Sequence, residues 1–237
     1  MYRWDIINHF IKENNYSTYL EIGYYKGWSF EQIDIRKRPG KYLKVAVDPN
    51  PSANEYQENM KYGDEEDFTF KGDNWSIRNR IIKITSDDYF YKLPKNERFD
   101  IIFIDGQHEA NQVLRDLINS CVHLSPNGTI VFHDMLPTSY EMITTGTQLG
   151  EWTGDVYRIG MILSKLCNSD KFYVVDTDYG VGVLKPGGEL KLSGDLNQIE
   201  YLGRGPRAKT YDPWQAFSEQ RNLHVNVVSI DKFKDSL

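Results

Sequence analysis

Phe99-Asp100-Ile101-Ile102-Phe103-Ile104-Asp105-Gly106-Gln107-His108, followed further on by Gly128-Thr129-Ile130-Val131-Phe132-His133-Asp134, decides how this chain folds. Residues 99–104 and 129–132 are apolar on both faces, the pattern of strands buried in the middle of a parallel sheet. Between them, residues 109–124 carry Val113, Leu114, Leu117, Ile118, Cys121 and Val122 at helical spacing. A strand, a crossover helix and a second strand make one parallel unit. Each strand runs directly into an acid and a histidine: Asp105 and His108 after the first, His133 and Asp134 after the second.

Working outward, the same alternation continues. An opening helix is predicted from Trp4, Ile7, Phe10 and Ile11, then a strand over 19–22 ended by Gly23. A helix over 29–38 stops at Pro39-Gly40, and a strand over 43–47 closes at Asp48-Pro49. The polar stretch 52–78 reads as a helix plus a long loop, and 81–84 as a third strand. After the central pair, Asp155 is placed to cap a helix reaching Cys167. Residues 172–175 and 181–184 form a hairpin around Asp178-Tyr179-Gly180, and 186–237 is irregular with one helix near 213–221. The expected fold class is α/β: a doubly wound sheet, mostly parallel, with one antiparallel edge strand from the late hairpin. It is expected to be one domain over 1–237, with its core at about 17–185 and an extension over 186–237.

Composition narrows the function. The 237 residues carry a net charge of −6, which argues against a protein that coats nucleic acid or an anionic membrane by bulk charge. Mean hydropathy is −0.58 and no apolar run approaches the length of a membrane span. The N-terminal segment contains Asp5 and Glu13 and lacks a signal peptide's apolar stretch. Cys121 and Cys167 belong to no metal-spaced cluster and read as buried free thiols in a reducing compartment, so the expected location is the cytoplasm. There is no internal repeat and no low-complexity segment.

In doubly wound sheets, ligands bind beyond the carboxyl ends of the strands. Every such segment here carries an acid. The first, Glu21-Ile22-Gly23-Tyr24-Tyr25-Lys26-Gly27-Trp28-Ser29, lets backbone approach a ligand at its glycines. It is not the dinucleotide fingerprint, because Tyr25 stands where a middle glycine is needed. Glu21 would repel a phosphate and suits a cation such as the amino or sulfonium group of S-adenosylmethionine; a tight turn without ligand is the plain alternative. Asp48, roughly 20 residues further on, can take ribose hydroxyls or simply form the turn. Asp105, His108, His133 and Asp134 converge from adjacent strand ends, where carboxylates could hold Mg²⁺ and a histidine could act as base. Taken singly, each could be a helix cap or a structural hydrogen bond.

These motifs together resemble class I S-adenosylmethionine-dependent methyltransferases, whose sheet is Rossmann-like. The Glu21–Ser29 turn is similar to that of the catechol O-methyltransferase branch. Residues 99–108 and 128–134 are similar to a bacterial subgroup that includes metal-dependent sugar O-methyltransferases of macrolide tailoring and surface-polysaccharide clusters. The resemblance covers about 17–185; Trp152-Thr153-Gly154-Asp155-Val156-Tyr157 and the tail 214–233 resemble the polysaccharide-associated members more weakly. It implies that Glu21, Gly23, Gly27 and Ser29 line the methionine end of the cofactor, with Tyr25 packed near it or turned into the core. It further implies Asp48 on the ribose and Ser86-Asp87-Asp88 at the adenine, with either acid making the contact. Asp105 and Asp134 match metal-ligand positions and His108 matches a base. The catechol branch has Asp-Asn where this chain has His133-Asp134, so either of these two takes the ligand position. The implied activity is a metal-assisted O-methyltransferase acting on a sugar or similar polyol. The rivals are a methyltransferase on a catechol or natural-product scaffold, and a non-catalytic cofactor-binding subunit. Acceptor walls are expected from 52–78, 136–153 and 186–237, and the acceptor is a small molecule or saccharide, not nucleic acid. Homo-oligomers are compatible with the sequence.

Overall fold

A computed structural model describes residues 1–35, 40–51, 65–72, 74–143, 151–187 and 213–235. Helix α1 (Arg3–Asn14) buries Ile6, Ile7, Phe10 and Ile11 and ends where Asn15 turns left-handed at φ 55°. Strand β1 (Thr18–Ile22) follows, then the short helix α2 (Trp28–Gln32) and strand β2 (Gly40–Val47). Strands β3 (Glu65–Lys71) and β4 (Trp75–Ile82) precede helix α3 (Ser86–Lys92). The central unit is β5 (Phe99–Ile104), α4 (Ala110–His123) and β6 (Leu124–Phe132). Helix α5 (Tyr157–Leu166), the hairpin β7 (Phe172–Val175) and β8 (Val181–Leu184), helix α6 (Pro213–His224), strand β9 (Val227–Val228) and helix α7 (Ile230–Asp235) complete the described chain.

The strands form a nine-stranded sheet in the order β3-β4-β2-β1-β5-β6-β8-β7-β9. The doubly wound, mostly parallel α/β sheet is therefore as the sequence predicts. Successive strands step away from β1 on one side and from β5 on the other, so the chain reverses its winding between these two. Alternate residues along the strands face two apolar layers. Leu20, Ile22, Ile102, Ile104, Ile130 and Phe132 pack beneath α3, α4 and α5. Tyr19, Ile101, Phe103 and Val131 pack beneath α1, with Phe30 and Phe233. Full burial of each such side chain stabilises the fold by about 1.5–3 kcal/mol.

The structure corrects several expectations. The helix expected over 29–38 is only α2: Ile33 is already extended, and the buried Lys44 ammonium takes the Phe30 and Ile33 carbonyls that a longer helix would have used. Residues 36–39 lie outside the described chain. Within 52–78, residues 65–71 and 75–78 are strand, not helix, paired as an antiparallel hairpin with Gly72 N–H donating to the Trp75 carbonyl at 2.9 Å; residues 52–64 lie outside the described chain. A charged strand such as Glu65–Lys71 hides its period, because at a sheet edge no second face need be apolar. The antiparallel strand of the late hairpin, β8, is interior; β7 and β9 lie beyond it. Asp155 does not cap α5. Its Oδ1 accepts the Ala110 N–H at 2.6 Å and so caps α4 instead. Among the described residues no helix is long and apolar enough to cross a membrane. Cys121 and Cys167 are free and half-buried, and burial pushes the Cys121 thiol up to about 11.

Asp100 ties the beginnings of the central strands together. Its Oδ2 accepts from Ser17 N–H at 2.8 Å, Thr18 N–H at 3.1 Å and Ser17 Oγ at 3.1 Å, and its Oδ1 accepts from Ser125 Oγ at 2.8 Å. Burial disfavours the charge, but these hydrogen bonds outweigh it and hold the carboxyl below its ordinary value. A depressed acid stabilises the fold above its unfolded titration range and loses that contribution as pH falls through its folded value. Asp100→Ala should therefore lower stability by about 1–3 kcal/mol at neutral pH, with the deficit shrinking below about pH 4. Urea unfolding of both proteins at neutral and acid pH measures this.

Candidate functional site at the strand ends

Ile82, Val47, Ile22, Ile104 and Phe132 stand in one row across β4, β2, β1, β5 and β6. The ladder continues one residue further: Asp48 N–H donates to the Ile82 carbonyl, Gly23 to Val47, Asp105 to Ile22 and His133 to Ile104, at 2.8–3.2 Å. The residues after four strands are thereby set side by side. They border a cavity of about 930 Å³, within the range of small-molecule sites.

The glycine turn forms one wall. Gly23 has φ 95°, and a Cβ there would stand 2.1 Å from the Asp105 carbonyl oxygen, so only glycine fits. Asp48 Oδ2 accepts the N–H groups of Tyr24 at 3.0 Å and Tyr25 at 2.8 Å, while Oδ1 accepts that of Asn50 at 2.7 Å. Asp48 is thus a turn-former and also a cavity residue. Tyr24, not Tyr25, is the tyrosine turned into the core, against Phe30. Tyr25 has φ 46° and stands exposed at the rim, edge-on to the exposed Trp28, with Lys26 Nζ 5.4 Å from each ring. Gly27 and Ser29 begin α2, and Ser29 lines the cavity. Glu21 is 1% exposed, accepts the Tyr19 hydroxyl, and is pushed up to about 8 by burial.

A second end of the cavity is lined by Thr85, Ser86, Asp87, Gln112 and Asp116. Gln112 Nε2 donates to Ser86 Oγ and Asp116 Oδ1, each at 3.1 Å. Burial lifts Asp116 to about 6. Asp88 is absent from this wall: Thr85 Oγ1 donates to its carboxylate at 3.0 Å, within the cap of α3.

Between these ends lies a charged cluster. Asp105 Oδ1 is 3.2 Å from His133 Nδ1 and 3.8 Å from His108 Nε2. Asp105 Oδ2 accepts from Arg3 Nη1 at 2.8 Å. Although burial opposes it, the cations His133 and Arg3 hold the Asp105 carboxyl down at about 2. His133 Nδ1 also lies 3.0 Å from Asp134 Oδ1, and Nε2 lies 3.6 Å from Asp178 Oδ1. Burial disfavours its charge, but the Asp105 and Asp134 carboxylates raise its pKa well above the ordinary value. Asp134 itself sits at φ 63°, a conformation that an aspartate tolerates at modest cost.

Arg3 and Asp178 escaped the sequence reading. Arg3 projects from the first turn of α1 and bonds Asp178 through its backbone N–H, Nε and Nη2. Asp178 is legible only as a hairpin-turn residue and no motif marks Arg3; only the fold brings residues 3, 105 and 178 together. Of the segment 136–153, Met142, Glu151, Trp152 and Thr153 do form cavity wall, while 144–150 and the expected walls 52–64 and 188–212 lie outside the described chain.

The donor set suits a divalent cation. Ligand atoms of Asp105, His108 and Asp134 lie within 4.8 Å of one another. The buried Asp134 Oδ2 receives no hydrogen bond, though His108 Nδ1 is 3.2 Å away. An orphaned buried carboxylate oxygen is costly without a cation. Two carboxylates and an imidazole fit Mg²⁺ or Mn²⁺. Among the described residues the gathered set is Asp105, His108 and Asp134, while His133 Nδ1 faces Asp105, Asp134 and, at 3.2 Å, Arg3 Nη1.

Residues 20–135, just under half of the chain, match a family model described as a methyltransferase domain. That match spans the glycine turn, Asp48 and the acids and histidines at the strand ends, and it supports a methyltransferase. No curated protein sequence matches the chain. Solved structures with similar folds include an O-methyltransferase from Bacillus cereus in complex with S-adenosylhomocysteine, at 13% identity and TM-score 0.44, covering 77% of this chain and 80% of that one. The S-adenosylhomocysteine-bound methyltransferase PaMTH1 from Podospora anserina gives 16% identity and TM-score 0.45 over 77% of each chain. MycE methyltransferase of the mycinamycin pathway, in complex with Mg, S-adenosylhomocysteine and mycinamycin VI, gives 13% identity and TM-score 0.44, covering 76% of this chain and 48% of that one. At such identities the acceptor has to be argued from this chain's own residues.

The raised Glu21 carboxyl gives a prediction independent of any ligand. The folded state holds its proton up to about pH 8, whereas an unfolded glutamate releases it near 4.5. Wild-type stability should therefore fall as pH rises from 5 to 9, while Glu21→Gln, which has no proton to lose, should fall less. Thermal melts of the two proteins across that range test the sign.

Proposed function

We propose that the protein transfers a methyl group from S-adenosylmethionine to a hydroxyl of a sugar or similar polyol, with a divalent cation at Asp105 and Asp134. The observation that carries this reading is the convergence of Asp105, His108 and Asp134 on the wall of the cavity that also holds the glycine turn. The turn residues Glu21, Gly23, Gly27 and Ser29, with Tyr25 at the rim, would take the methionine end of the cofactor. Glu21 is buried where a ligand ammonium or sulfonium would draw off its proton. Asp48, with three of its roughly four acceptor positions used, keeps one for a ribose hydroxyl. Ser86 and Asp87 border the cavity and are assigned to the adenine; Asp88, engaged in the α3 cap, is not.

The transfer forms a C–O bond as the methyl C–S bond breaks, the bonding pair leaving on sulfur and the hydroxyl proton passing to His108. A cation at Asp105 and Asp134 would make the coordinated hydroxyl more acidic. His108 Nδ1 faces the Trp152 carbonyl at 2.9 Å and Asp134 Oδ2 at 3.2 Å, both acceptors, which leaves Nε2 to receive the proton. Arg3 holds the second Asp105 oxygen, so the carboxylate keeps its orientation. The exposed Tyr25–Trp28 pair favours a second reading, in which the acceptor is a flat aromatic alcohol or natural-product scaffold.

S-adenosylhomocysteine should bind the folded protein in calorimetry, and Asp48→Ala should weaken that binding by about 1–3 kcal/mol. Absence of binding would overturn the cofactor sites. An acceptor screen of nucleotide sugars, oligosaccharides and catechols decides between the two acceptor classes. With the acceptor found, EDTA should abolish turnover while cofactor binding survives; full activity in EDTA removes the cation from the reaction. His108→Ala should cost about 10²–10⁴-fold in rate. Mn²⁺ affinity retained in that variant makes His108 the base, and affinity lost makes it a ligand.

A further inference from the structure

We infer that residues 152–155 form a strap whose Trp152 is a positioning residue for His108, fixing the imidazole as the Nδ1–H tautomer with its Nε2 lone pair turned to the Asp105 side of the cavity. Both neighbours of His108 Nδ1 are oxygen acceptors: the Trp152 carbonyl at 2.9 Å and Asp134 Oδ2 at 3.2 Å. A carbonyl has no proton to give, so the hydrogen of that contact belongs to Nδ1. The opposite tautomer would set a nitrogen lone pair against two oxygens. The Trp152 indole then covers the imidazole, stacked at 4.9 Å between centroids and 27° between planes, which removes the freedom to rotate about χ2.

The strap is fastened independently of His108's ring. Asp155 N–H donates to the His108 carbonyl at 3.2 Å, and Asp155 Oδ1 accepts the Ala110 N–H at 2.6 Å. Gly154 lies so close that a Cβ would stand 1.8 Å from the His108 carbonyl oxygen, and its φ of 59° is itself a glycine conformation. On the other side, Thr153 and Gly154 N–H groups both donate to the Met142 carbonyl, at 2.9 and 3.0 Å. The backbone oxygen that selects the tautomer is therefore held from two directions. This is how a ligand or base histidine is ordinarily oriented, by what its other nitrogen touches. Trp152 Nε1 is buried without a hydrogen-bond partner, so the side chain contributes its face and not its N–H.

That last point supplies a conservative variant. Trp152→Phe keeps the backbone carbonyl and an aromatic face and loses no hydrogen bond; Trp152→Ala removes the stack. The consequence for rate rests on the reading of His108 as base, but the tautomer does not, and NMR of the imidazole nitrogens in the labelled full-length chain reads it without turnover. The five histidines are resolved by comparison with His108→Gln. The expected result is a protonated Nδ1 and an unprotonated Nε2 for His108 in wild type and Trp152→Phe, at a pH where the ring is neutral. Trp152→Ala, and Asp155→Ala, which loosens the strap at its α4 end, should move both nitrogens toward the averaged shifts of mixed tautomers. S-adenosylhomocysteine affinity should stay within about twofold in all of them, a change of under about 0.5 kcal/mol. Once an acceptor is known, kcat should fall in Trp152→Ala and recover in Trp152→Phe. A wild-type His108 carrying its proton on Nε2 overturns the inference. So does an unchanged tautomer in both folded loosening variants. Should Trp152→Ala not fold, the wild-type and Asp155→Ala spectra decide the matter.

Discussion

The close approach of Gly23 to the Asp105 carbonyl is the contact on which the site depends. It exists because β1 and β5 are paired in register up to Ile22 and Ile104, and the next hydrogen bond, Asp105 N–H to the Ile22 carbonyl, carries that pairing into the turn. A side chain at position 23 would collide with that carbonyl and push the two strand ends apart. With glycine there, the turn that leads to α2 and the loop that carries Asp105 and His108 share one cavity wall. The chain reverses its winding at this pair of strands, so the helices diverge and leave space above them.

Electrostatics shape what that space can hold. Three aspartates and two fixed cations, Arg3 and His133, are arranged so that Asp105 and Asp178 are held ionised against the cost of burial. Glu21, which accepts the Tyr19 hydroxyl, is pushed the other way by burial. The site therefore sets carboxyls whose charge is favoured by neighbouring cations beside one whose charge is disfavoured by burial. That separation suits a reaction in which a cationic methyl donor and a hydroxyl acceptor are bound side by side.

Residues far apart in sequence hold this arrangement together. Arg3 comes from the first helix, Asp178 from the turn of the last hairpin, and Trp152 and Asp155 from the strap before α5. Asp178 and Tyr179 both adopt left-handed conformations, the geometry of a tight hairpin turn, and the Asp178 carboxylate accepts from Arg3. The turn of a peripheral hairpin thus supports the centre of the sheet.

The sequence by itself determined the parallel centre of the fold and the places to look for a site. Phe99–Ile104 and 129–132 are apolar on both faces, and α4 repeats at helical spacing, so their roles follow from local period alone. The glycine turn, Asp48 and the acids at the strand ends were legible for the same reason: each directly follows such a strand. The edge strand Glu65–Lys71 was not, since a charged edge has no apolar period, and the length of α2 was not, since a buried lysine from β2 ends it. The sequence left both His108 and His133 as partners for Asp105 and Asp134, and only the fold gives each its neighbours. The two imidazoles are chemically alike, and each is close in sequence to one of the acids, His108 to Asp105 and His133 to Asp134. Arg3 and Asp178 surround His133, while Trp152 packs on His108, and contacts between residues so far apart in the chain leave no trace in local sequence.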